Sequence, residues 1–414
     1  MYKVLNYFLA VSILFILSAC AGEGTGEPTA NLPTPPPPPV VMKGVGTITG
    51  TIYAPNGSDP IPGANVYVVA TPIAKSSLAA VNVWDISTAS SKTLTEADGT
   101  FTLQNVPAGT TTIYIIKGFF KKAFVAYVTP DKTTTILKTL TTLPATTDLA
   151  SGIGIPKIAV VKGVWDKIED VLAKLGLGSV DSTGALISGT QKFSIINDSL
   201  ALLTNTTELN KYNILIFDCG PTSTAVTNST AISNLRKFVE NGGRLYVTDW
   251  SSDVVEQAFP EFMQWYGGTN ISPFTPESIG GARVGTSGIT TEATVVDSEL
   301  KKWLANVKTG NSSTSSNILS SLNSDGTIHI EDFLGGWVVM EAPHTGDAGS
   351  KVTVHIKGNV SWSGGAGNKP LTISFPVGTN GGKVLYSSYH TSETAHPYFL
   401  PQERVLQYLL FEMM

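Results

Sequence analysis

Near Ile155 the chain changes its hydrophobic rhythm, and that change limits which layers it can fold into. Before it, from Gly44 to about residue 145, short runs alternate with period two. Thr47 to Tyr53 and Ala64 to Ala70 are two such runs, and later ones are Asp98 to Leu103 and Thr112 to Ile116. Turn dipeptides such as Asn56-Gly57 and Asp59-Pro60 separate them, as expected for half-buried strands in an antiparallel β-sandwich. After Ile155 the apolar runs become continuous, as in Lys157 to Val161, Tyr212 to Asp218 and Arg244 to Asp249. Segments with helical spacing lie between them, Trp165 to Leu175 and Ala231 to Val239. Strand–helix alternation of this kind predicts a mostly parallel sheet covered by helices.

The composition agrees. Of 414 residues, 42% are hydrophobic and only 14% charged, enough apolar material for real cores. The length exceeds one ordinary core, so two or three folded units are expected. A net charge of -5 without a basic cluster argues against nucleic acid as a partner. There are two cysteines and five histidines, with no HxxxH and no CxxC. Spacing therefore predicts no metal site, and no cofactor is indicated, since neither GxGxxG nor a Walker loop is present.

In the first unit, Gly50-Thr51-Ile52-Tyr53, Pro62 to Val66, Thr95 to Phe101 and Val106-Pro107-Ala108-Gly109 resemble the carboxypeptidase regulatory-like domain. The resemblance implies a transthyretin-like sandwich over residues 44–145 that serves as a non-catalytic spacer or binding module, among carbohydrate-binding-like folds. Asp98 is expected to cap a turn. In the second unit, residues 155–414, the segments Tyr212 to Asp218, Leu235 to Leu245 and Gly382 to His390 are similar to the class I glutamine amidotransferase-like fold, especially its divergent relatives. That likeness implies a flavodoxin/amidotransferase-like α/β domain. The extra β elements between Ser251 and Lys383 have no place in it. Pro401 to Met414 reads as an amphipathic helix docked on the sheet.

The first twenty residues have a basic flank at Lys3, an apolar stretch from Val4 to Leu17, and then Leu17-Ser18-Ala19-Cys20. This matches the lipobox of bacterial lipoproteins. The match implies a signal peptide over residues 1–20, cleavage before Cys20 and acyl chains (palmitate among them) on its thiol, which anchor the chain to the membrane. Ala21 in place of Asp resembles lipoproteins sent to the outer membrane where the host has two membranes. Residues 21–43, with Pro35 to Pro39 unbroken, form a stiff tether.

Catalytic chemistry is legible only as candidates. The amidotransferase family places its nucleophilic Cys on a tight turn after a strand, with a His and a Glu two residues apart. The matching turn here, Asp249 to Asp253, holds Ser251 but no Cys. Cys219 follows the preceding strand and reads either as an inert buried thiol or as a nucleophile. His390 with Glu393 keeps the family's order, with one residue too many between them. Glu331-Asp332, and Asp249 with Asp253, are acid pairs of the type that hydrolyse glycosides at suitable separation, or else solvated turn acids. Trp250, Trp265, Trp337 and Trp362 are core residues or a carbohydrate groove, and Phe119-Phe120 a core pair or a sugar platform. The expected function is a lipid-anchored envelope protein that binds or scaffolds, with a glycan or envelope protein as partner. The alternative is an envelope hydrolase using His390 and Glu393 with Ser251 or Cys219.

Overall fold

The computed structural model describes residues 44–69, 84–220, 223–265, 275–276, 278–331 and 333–413. The leader with Cys20, the tether and Asp332 lie outside the described residues. Among the described residues no helix is long and apolar enough to cross a membrane. The protein is mostly β, with mixed sheets and some helices.

In the first region a three-stranded sheet, Thr100–Pro107, Val45–Thr51 and Thr133–Thr135, faces a five-stranded one. The latter runs Ala89–Leu94, Asn65–Val69, Gly109–Lys117, Phe120–Val128 and Ile153–Gly154. The period-two runs send Ile48, Val66, Val68, Phe101, Leu103, Ile113 and Ile115 into one core. Two features depart from expectation. Thr133–Thr135 pairs parallel to the first strand, and Ile153–Gly154 joins the sheet beyond residue 145. Asp98 accepts from the Thr100 amide at 2.9 Å, the expected turn cap.

The second region is organised by a nine-stranded sheet. Five strands run parallel in the spatial order Ser194–Ile196, Ile158–Val161, Ile214–Phe217, Arg244–Thr248, Gly382–Ser387. The chain between Ser251 and Lys383 supplies the other four, Gly365–Val377, Thr353–Trp362, Thr291–Val295 and Thr327–Ile330, all antiparallel. The sheet is therefore mixed rather than mostly parallel, because the extra β elements extend it edge-on. Continuous apolar strands feed both faces: Ile214 and Ile216 enter one core, Leu215 and Phe217 the other. The helix Ser229–Glu240, capped by the Asn228 side chain on the Ala231 amide at 3.0 Å, covers the second face with Leu235, Phe238 and Val239.

The helix Pro401–Met413 differs from a simple amphipathic lid. Its polar residues Gln402, Glu403, Arg404 and Gln407 are as buried as its leucines. They meet partners from both regions. Glu403 binds Lys174 at 2.8 Å, and Arg404 and Gln407 each reach Asp59 at 2.9 Å. Phe411 packs on Phe120 with ring centroids 5.7 Å apart, so Phe120 is a core residue. Gly176, at φ 94°, lies against the Pro55-Asn56 backbone, where an added Cβ would come within 2.5 Å. Asn56 N–H donates to Leu175 O there, at 2.9 Å. The sandwich is thereby clamped onto the second region.

Candidate functional site: a buried thiol, imidazole and carboxylate

In open α/β sheets, ligand chemistry collects at the carboxyl ends of the parallel strands. Here those ends carry Asp166 after Val161, Asp218 and Cys219 after Phe217, Asp249 after Thr248, and His390 after Ser387. Three of these side chains converge. One donor atom each from Cys219, Asp249 and His390 lie within 4.8 Å of one another. His390 Nδ1 is 2.8 Å from Asp249 Oδ2.

Backbone details hold the group. Asp249 sits at φ 41°, fully buried, in the strained turn between its strand and the helix Ser252–Ala258. Its carbonyl accepts from Tyr386 Oη at 2.9 Å. Gly163 lies directly on the Cys219 backbone, where an added Cβ would sit 2.1 Å from Cys219 O. That approach lets the Val164 amide donate to Cys219 O at 2.9 Å.

Charge is unevenly provided. Asp166 Oδ1 accepts from the backbone amides of Lys167 at 2.9 Å and Thr391 at 3.1 Å, and from the Thr391 hydroxyl. Its Oδ2 is buried without a hydrogen-bond partner. Burial, reinforced by the Asp166 and Glu169 charges, holds the Asp218 carboxyl well above the ordinary range. Burial pushes Cys219 up to about 11, against a hydrogen bond to His390. Burial also pushes Asp249 up to about 6, against its hydrogen bond to His390. Burial opposes the charged form of His390, but the hydrogen bonds to Asp249 and Cys219 and the Asp249 charge outweigh it and raise it to about 11.

The other candidates fall elsewhere. Ser251 is buried and donates to Asp218 O at 2.7 Å, or to Gly220 O at 3.2 Å, so its hydroxyl is committed to backbone carbonyls. Glu393 is exposed, and the carboxylate on His390 is Asp249. Asp253 accepts from the Gly280 amide at 3.1 Å. Glu331 lies 3.7 Å from His329 in a half-exposed pair. Trp265 and Trp337 are core residues, whereas Trp362 is partly buried beneath Arg283 and Lys369. Trp250 is 44% exposed, and Trp165, which sequence reasoning placed in a helix, is 47% exposed. Phe119 is partly buried, facing Arg244.

The site is sealed. Cys219 and His390 are each 1% exposed and Asp249 0%. Cavities of about 610 Å³ open at the amino edge of the sheet, beside Pro156, Lys192 and Tyr212, and next to Ile232, Arg236 and Ile279. Neither is lined by Cys219, Asp249 or His390.

No family model and no curated protein sequence matches the chain. Several solved structures resemble parts of it. A thua-like protein from Bacteroides uniformis is 13% identical over 61% of this chain and 88% of its own, with a TM-score of 0.34. The mmIFT52 N-terminal domain is 9% identical over 62% and 96%, with a TM-score of 0.33. A type II cohesin–X–dockerin complex from Acetivibrio cellulolyticus is 20% identical over 33% and 76%, with a TM-score of 0.17. At these scores the likeness defines no family for the chain.

Proposed function

We propose that the chain is a lipid-anchored envelope protein that binds or scaffolds and does not catalyse. In this reading a carboxypeptidase regulatory-like sandwich and a divergent amidotransferase-like α/β region form one body on a proline tether. The observation that carries it is the sealed carboxyl edge. A hydrolase must bring substrate against its nucleophile, and Cys219, His390 and Asp249 are each no more than 1% exposed. Carbohydrate is the ligand class we favour, because Trp165 and Trp250 present half-exposed rings on that same edge. Aromatic faces of this kind stack on sugar rings.

The competing reading, a thiol hydrolase, draws on the convergence of Cys219, His390 and Asp249. Turnover of a panel of ester, amide and glycoside substrates by the full chain and by Cys219→Ala separates the two. Equal, background-level rates are expected. A rate lost in Cys219→Ala would overturn the binding reading. The anchor is tested by palmitate labelling in cells, which should vanish in Cys20→Ser. Screening against envelope and storage glycans should give a signal that Trp165→Ala and Trp250→Ala reduce.

A further inference from the structure

We propose that Cys219, His390 and Asp249 form a binding site for a zinc-class divalent cation that staples the carboxyl ends of three neighbouring strands. The inference takes the sealed reading of this centre as given and assigns what the centre holds.

The donor set selects the metal. A thiolate, an imidazole and a carboxylate suit a borderline-soft ion such as Zn²⁺, whereas Mg²⁺ and Ca²⁺ take oxygen ligands alone. The geometry is near what coordination needs. Tetrahedral zinc, with bonds of about 2.0–2.3 Å, sets its ligand atoms roughly 3.3–3.8 Å apart. Three donors already within 4.8 Å of one another can close on such an ion by side-chain rotation. The His390–Asp249 pair, at 2.8 Å, must open by a few tenths of an ångström.

A second observation points the same way. The Asp166 carboxylate is 1% exposed, and its Oδ1 is fixed by the amide of Thr391, the residue after His390. Its Oδ2 is bare. A buried carboxylate oxygen without a donor beside a Cys–His–Asp cluster is what a cation site presents before the cation enters. Asp166 lies outside the trio whose donor atoms fall within 4.8 Å of one another, so it acts on the ion through its charge or through a bridging water. Binding is a proton exchange: the thiol loses its proton, the proton between Nδ1 and Asp249 leaves, and both pass to solvent as the cation takes their place. With all three ligands no more than 1% exposed, the ion is structural rather than catalytic.

The test is metal analysis of the full chain purified without chelator, followed by chelation and reconstitution with Zn²⁺ or Co²⁺. About one zinc per chain is expected. The Co²⁺ form should show tetrahedral visible bands with a sulfur-to-metal charge-transfer band, absent in Cys219→Ser. Zinc affinity should fall at least 100-fold in Cys219→Ser and in Asp249→Asn. Because either variant can misfold, the wild-type spectrum stands as an independent readout. Metal-free protein that stays folded and takes up neither ion at micromolar concentration would overturn the site. That result, with Cys219 still inert in the turnover panel, would leave the binding reading standing. Turnover dependent on Cys219 would remove the binding reading instead.

Discussion

Two regions of the molecule bury charge at comparable depth and handle it in opposite ways. At the joint between the sandwich and the second region, Lys174 meets Glu403 and Arg404 meets Asp59, each cation with its own carboxylate. At the carboxyl edge four buried acids, Asp166, Asp218, Asp249 and Glu169, share one buried imidazole, His390, which pairs with Asp249, while the half-exposed Lys162 lies 3.4 Å from Glu169. The difference teaches that burial alone does not mark a functional centre. A balanced network holds two bodies together, whereas an excess of one sign leaves a demand that a ligand can meet.

The largest effect should come from unbalancing the joint. Glu403→Ala leaves Lys174 buried without its carboxylate and should cost about 3–5 kcal/mol in denaturant unfolding. Asp218→Asn, which removes a surplus acid, should change stability by no more than about 1 kcal/mol in either direction in metal-free protein. Equal losses in the two variants would break the comparison.

Next comes Gly176→Ala. Its added methyl would strike the Pro55-Asn56 backbone at a positive φ, and we expect about 1–3 kcal/mol of destabilisation, read as a shift in denaturant midpoint. The same substitution at Gly189, also at positive φ but with open space around it, should cost less.

The joint also predicts a pH dependence. Burial pushes the Glu403 carboxyl up, but Lys174 and His396 outweigh it and hold it below the ordinary value. The unfolded chain therefore takes up this proton first as pH falls. The contribution is fully present above the unfolded value, about 4.3, and is lost as pH falls through the lower folded value. Unfolding midpoints measured from pH 7 to pH 3 should decline more steeply in the wild type than in Glu403→Gln. The smallest effect belongs to Lys211→Ala, which removes an exposed pair with Glu208 and should stay within about 0.5 kcal/mol.

How much of this was legible varies by element for physical reasons. Strands such as Ile214–Phe217 and the helix Ser229–Glu240 announce themselves, because continuous apolar runs and 3.6-residue spacing report burial directly. The helix Pro401–Met413 was legible as a helix but not as a joint. Periodicity shows that Glu403 and Arg404 share a polar side, and only tertiary structure shows that side facing Lys174 and Asp59. The extra β elements resisted placement because each joins the sheet antiparallel at its far edge, a pairing set by long-range register. The centre itself was half legible. His390 and Cys219 stood out as rare, reactive residue types. Asp249 read as a turn acid and Asp166 gave no signal, since strand order, not sequence spacing, brings them together. Glu393 drew attention through proximity in sequence, yet it points to solvent.

The reactivity of Cys219 in the native full chain tests the central claim most directly, that this centre is closed. Alkylation with a small iodoacetamide probe at neutral pH, followed by peptide mapping of Cys219, gives the rate. The account predicts almost no labelling over a period in which urea-unfolded chain reacts completely. Labelling of the folded chain as fast as a free thiol would contradict it.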